Sequence, residues 1–98
     1  MTEEDNKWRE ESTRILRSYL VRKNIKYHDL AKVLQSMGLN ENANSIANKL
    51  SRGTFIFSFF LQCMYALRID NIELNLEQHI GDKKKKKKKH KRIYGFMN

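Results

Sequence analysis

Within six residues the chain places Asn44, Ser45, Asn48 and Lys49. An asparagine amide offers a donor and an acceptor side by side and can pair doubly with the edge of adenine, and a lysine reaches guanine or a phosphate. Ala43, Ile46, Ala47 and Leu50 interleave with these four at spacings of three and four. On a helix over 42–51 the apolar residues form a thin buried stripe and the polar four face outward, which is the chemistry of DNA base contacts. Lys26, Tyr27 and Arg52 flank that segment and suit contacts to the DNA backbone. Other chemistries find little. Cys63 falls on an apolar stripe with no histidine near it in sequence, which suits a small core residue better than a nucleophile. His28, His79 and His90 are scattered and share no metal-ligand spacing. No catalytic residue, metal site, cofactor or small-molecule substrate is expected.

A second set of basic side chains stands apart. Lys83, Lys84, Lys85, Lys86, Lys87, Lys88, Lys89, Lys91 and Arg92 fill nine of ten positions, with His90 among them. Like charges repel and nothing apolar accompanies them, so this run is expected to stay disordered and to bind polyanions without sequence preference. It also distorts the overall balance. The chain carries +9, yet the 88 residues outside the run hold 11 basic and 11 acidic groups. Residues 6–69 are basic, with 11 cations against Glu10, Glu11, Asp29 and Glu41, and acidic stretches lie on both sides. A basic body suits a polyanionic partner.

A chain of 98 residues supports one small domain. One cysteine excludes a disulfide framework, and no apolar run is long enough to cross a membrane. The acidic start does not resemble a signal peptide, so a cytoplasmic protein is expected, nucleoid-associated if bacterial, with no membrane partner.

The elements that must position these residues read as helices. Trp8, Ile15, Leu16, Tyr19 and Leu20 give one apolar stripe over 6–23, capped by Asp5 or Asn6 and stopped at Asn24. A second helix, 27–37, buries Leu30, Ala31, Val33, Leu34 and Met37 and ends at Gly38. Asn40, Glu41 and Asn42 offer caps for the third, and Ser51-Arg52-Gly53 closes it. The fourth, 57–68, carries Phe59, Phe60, Cys63, Met64 and Leu67, with Phe55, Ile56 and Phe57 expected in the core before it. Residues 69–76 alternate apolar and polar, as a short strand or an extended packing arm would. The expected fold is all-α: a compact bundle of four to five short helices over 6–76, an acidic extension 1–5 before it and a flexible tail 77–98 after it.

Three short helices within the body, with a glycine in the turn before the polar third helix, follow the plan of a helix-turn-helix. Ile25-Lys26-Tyr27-His28-Asp29-Leu30-Ala31 resembles the opening of helix 2 in lambda-repressor-like (Xre-type) domains. A closer similarity is to a small, largely uncharacterised bacterial domain family of the same helix plan. It shares Leu30-Ala31, Gly38, Asn48-Lys49, Ser51-Arg52-Gly53, Phe55 and Phe59-Phe60-Leu61-Gln62-Cys63. The stretch from Leu30-Ala31 to Ile46 is longer than in typical repressors, Lys26 stands where Ser or Thr usually caps, and Ala47 stands where a basic residue is expected. The resemblance implies a repressor-like fold and a homodimer spanning two half-sites, with 69–76 or an exposed part of the fourth helix as candidate contacts.

Together these features favour a noncatalytic protein that binds double-stranded DNA in transcriptional or mobile-element control. Helix 42–51 would read the major groove and the lysine run would add nonspecific affinity. Two rivals stand beside it: a protein-interaction module that keeps the core without specific DNA binding, and an RNA- or nucleoid-binding protein that acts through the tail. The arrangement of Arg22, Lys23, Lys26, Lys49 and Arg52 around the third helix discriminates the first rival, because acids interrupting that face would favour a protein partner.

Overall fold

Each apolar period of the sequence becomes one helix: α1 (Glu3–Arg22), α2 (Tyr27–Ser36), α3 (Ala43–Arg52) and α4 (Phe57–Ala66). A computed structural model describes residues 2–74 and 76. No strand occurs among them. The expectations for 77–98, including the polycationic run from Lys83 to Arg92, lie outside the described residues.

The helix ends follow from local chemistry. Thr2 caps α1 through a reciprocal box, accepting from the Asp5 amide at 3.0 Å while the Asp5 carboxylate accepts from the Thr2 amide. Residues Glu3, Glu4 and Asp5 therefore form the first turn of α1, where negative charge meets the helix dipole, and are not an extension ahead of it. Asn42 caps α3 by accepting from the Ser45 amide at 2.8 Å. At α2 the Lys26 side chain caps nothing, and Asp29 supplies one arm of a box by accepting from the Lys26 amide.

Three helices stop in the same way. Asn24, Gly38 and Arg68 take the left-handed conformation, and the amide after each reaches back to a carbonyl of the last turn: Ile25 to Leu20, Leu39 to Leu34, Ile69 to Met64. Ile25, Leu39 and Ile69 then pack against the core, so each stop also fixes the chain's next direction.

The four helices share one core. Leu16, Tyr19 and Leu20 of α1 meet Leu30, Ala31 and Leu34 of α2, Ile46 and Leu50 of α3, and Phe59, Phe60, Cys63 and Met64 of α4, with Leu67 just beyond. α3 packs on both α1 and α2, and α2 packs on α4. Residues 69–74 carry no regular structure and strap over α1. The Tyr19 hydroxyl holds the strap by donating to the Glu73 carbonyl at 2.6 Å and accepting from the Glu73 amide at 3.0 Å.

Several expected core residues are exposed. Val33, Ile56 and Phe57 are open to solvent. α2 buries a narrow stripe against two neighbours, which leaves Val33 outside. Ile56 is the N-cap of α4, and Phe57, in its first turn, stacks its ring on the outer side of Phe60 with centroids 5.9 Å apart. Among the described residues one charged side chain is buried instead: Glu11 sits 4 % exposed, bound in two places by the Arg14 guanidinium at 2.9 and 2.6 Å. Those hydrogen bonds to Glu11 raise the Arg14 pKa above its ordinary value.

Candidate nucleic-acid interface

The outward face of α3 divides in two. Asn44 and Asn48 are exposed, one turn apart, with Ser51 and Arg52 exposed a turn further on. Ser45 and Lys49 are half-buried on the adjacent face and are already engaged. Glu41, just before the helix, accepts from the Ser45 hydroxyl on one oxygen at 2.6 Å and pairs with the Lys49 ammonium on the other. Lys49 also lies 4.7 Å over the ring of Phe59. Charge and aromatic face together hold this lysine against α4. The four residues expected to act alike thus separate into two presented amides and two tethered side chains. Glu41 stands four and eight residues before Ser45 and Lys49, a helical spacing that was readable in the sequence.

The expected backbone contacts lie at helix ends. Lys26 is exposed at the N-terminus of α2. Tyr27, half-buried beside it, accepts through its hydroxyl from the Nε of Arg17 at 3.1 Å. Arg52 is exposed in the last turn of α3, and its carbonyl accepts from the Nε of Arg9 at 2.8 Å. Both ends therefore touch an arginine of α1, which the sequence pattern did not single out.

The junction of α1 with the end of α3 is tight. Gly53 closes α3 with φ +68°, and a Cβ placed there would fall 2.3 Å from the Arg9 carbonyl oxygen. Beside it the Thr13 hydroxyl donates to the Leu50 carbonyl at 2.5 Å. Side chains of α1 thus satisfy carbonyls that the C-terminus of α3 leaves without helical partners. The Arg9 cation also sits at the negative end of that helix dipole.

Cys63 belongs to the core. Cys63 is fully buried, and desolvation by burial, aided by Glu41, pushes its pKa up to about 12, so at neutral pH it is a thiol. Among the described residues no three His, Cys, Asp or Glu side chains come together as metal ligands. No helix among them is long and apolar enough to cross a membrane. On α4, Phe57, Leu61 and Tyr65 form an exposed apolar stripe at i, i+4 and i+8, with Phe57 66 % and Tyr65 74 % exposed.

Comparison with curated proteins and with solved structures finds no match. Residues 8–72, which run from within α1 through α4 into the strap, match the family model described as Domain of unknown function (DUF6471). The shared segment takes in the Gly53 junction, the amide pair of α3 and the tyrosine that holds the strap, and the chain belongs to that family.

Proposed function

We propose that this chain is a noncatalytic double-stranded-DNA-binding domain serving transcriptional or mobile-element control. It would use α2 and α3 as a repressor-like helix-turn-helix with α3 in the major groove. The observation that carries this reading is the presented amide pair. Asn44 and Asn48 stand free of the core on adjacent turns, opposite Ile46 and Leu50, which are both fully buried. Glu41 withholds Ser45 and Lys49 from base edges, so base reading rests on the two asparagines. Lys26, Tyr27 and Arg52 would hold the phosphates on either side, and the lysine run would add affinity without sequence information. In a bacterial cell the protein would sit on the nucleoid.

A second copy fits the exposed stripe of α4. That helix, Phe57–Ala66, contains no charged residue, whereas the rest of the body is basic. Two copies meeting through α4 bury Phe57, Leu61 and Tyr65 without opposing like charges. One observation favours the rival of a protein-interaction module: the Glu41–Lys49 pair removes a cation from the α3 face.

The test is selection of a preferred duplex from a random library, followed by Asn48→Ala. The substitution is expected to cost about 1–3 kcal/mol on the selected site and little on random DNA. Equal losses on both would argue against base reading by this residue.

A further inference from the structure

Of the six arginines among the described residues, five line one groove between α1 and the end of α3: Arg9, Arg14, Arg17, Arg22 and Arg52. None of the five lysines among the described residues does. Glu10 is the only acid among the described residues of the lining. The segregation matters because the two cations differ. A guanidinium is a planar fork that matches two oxygens of a phosphate, and an ammonium is a point charge.

Four of the forks have their planes set by a neighbour. Arg9 donates to the Arg52 carbonyl, Arg14 to Glu11, and Arg17 to the Tyr27 hydroxyl, while Arg22 lies 4.8 Å over the ring of Tyr19. Arginines fixed in this way lose less freedom when they take a ligand. Arg14 has most of its charge answered by Glu11, so the outward field comes chiefly from Arg17, Arg22 and Arg52, all exposed.

Size and direction narrow the ligand. The groove holds about 930 Å³, far more than one inorganic ion occupies. At a rise of about 1.5 Å per residue, Arg9 and Arg22 stand ~20 Å apart along α1. That length spans several phosphates of one strand, whose spacing along the duplex axis is about 3.4 Å. Ser51 and Arg52 belong both to this groove and to the exposed face that carries Asn48.

We infer that the groove seats the sugar-phosphate backbone of the DNA that α3 reads, with Arg17, Arg22 and Arg52 as its phosphate contacts and α1 as the second wall of the interface. The inference rests on the DNA reading above and shares Arg52 with it, but it adds the α1 wall with Arg17 and Arg22, so the two can fail separately.

The experiment is a titration of the full chain with a short mixed-sequence DNA duplex. It follows the arginine Nε–H and asparagine side-chain signals by NMR, and measures affinity against salt for the wild type and for Arg17→Gln/Arg22→Gln. The signals of Arg17 and Arg22 are expected to shift together with those of Asn44 and Asn48. The double variant should bind every duplex about tenfold more weakly or worse, with a salt slope reduced by about two, near 0.9 for each phosphate no longer neutralised. Both side chains are exposed, and the wild-type titration reads the groove even if the variant fails to fold. If the asparagines shift while Arg17 and Arg22 stay still and the variant binds as the wild type does, the groove assignment is wrong and base reading by α3 stands. If only the arginines shift, the groove stands and base reading by α3 is wrong. If no signal of residues 2–76 moves, both are overturned and the binding belongs to the lysine run.

Discussion

Gly53→Ala tests the junction that gives the interface its shape. The glycine sits at φ +68°, where a residue with a Cβ costs about 1–2 kcal/mol. The added Cβ would also lie 2.3 Å from the Arg9 carbonyl oxygen and 2.8 Å from its carbon, against ordinary contact at 3.4–4 Å. Both opposing atoms are backbone of α1, so no rotamer change relieves the clash, and the helix must retreat by ~1 Å. That retreat strains the bonds from Arg9 to the Arg52 carbonyl and from Thr13 to the Leu50 carbonyl. Each such bond contributes about 0.5–1.5 kcal/mol net. The loss for Gly53→Ala is then about 2–5 kcal/mol. Gly38→Ala provides the control, because Gly38 also has positive φ, +89°, but a Cβ there meets nothing within 4 Å. Its cost is the conformational one alone, about 1–2 kcal/mol. Urea unfolding followed by far-UV circular dichroism gives both values, and the difference should be about 1–3 kcal/mol. Equal losses at the two glycines would refute the close approach of α1 to α3.

Three further outcomes follow from the same structure. Leu50→Ala opens a cavity beneath the fully buried centre of α3 and should cost about 2–5 kcal/mol in the same urea assay, and a loss below ~1 kcal/mol would contradict that burial. Cys63, held protonated by burial with its pKa pushed up to about 12, should resist a disulfide reagent at pH 8 in the folded protein and react once unfolded in denaturant; equal rates in both states would refute its burial. If two copies meet through α4, sedimentation should show a wild-type dimer that Leu61→Glu converts to a monomer of unchanged helicity, and a wild-type monomer at every concentration would end the proposal.

The fold was more legible than the site because its determinants are local. Gly38 and Asn24 marked two helix stops, and both adopt the left-handed conformation that the stop requires. Arg68 does the same at the end of α4, where nothing in its residue type announces it. The companion signal was an apolar residue just beyond each stop, Ile25, Leu39 or Ile69, and that pattern was there to be read. The start of α1 was also readable as Thr2 followed three residues later by Asp5, although the acids there stand out as charge before they stand out as caps. Phe57 shows a different limit. A period identifies a stripe, yet an aromatic at the edge of an almost wholly apolar helix belongs to either of two faces, and only the packed neighbours decide.

The groove was hidden for a stronger reason. Arginines at 9, 14, 17 and 22 read along the chain as the solvated side of an amphipathic helix, which is the ordinary place for them. Their meaning changes only when Arg52, more than forty residues away from Arg9, arrives beside them, and that arrival depends on Gly53. One residue without a side chain thus lets two helices touch and turns a solvated face into one wall of a basic groove. Stability and proposed function meet at this point. Gly53→Ala should weaken DNA binding even under conditions where the chain stays folded, because a retreat of α1 separates Arg17 and Arg22 from Arg52. Leu50→Ala, which leaves the glycine contact in place, should lose stability without a matching loss of affinity in the folded population. Opposite behaviour of the two variants would place the phosphate contacts elsewhere.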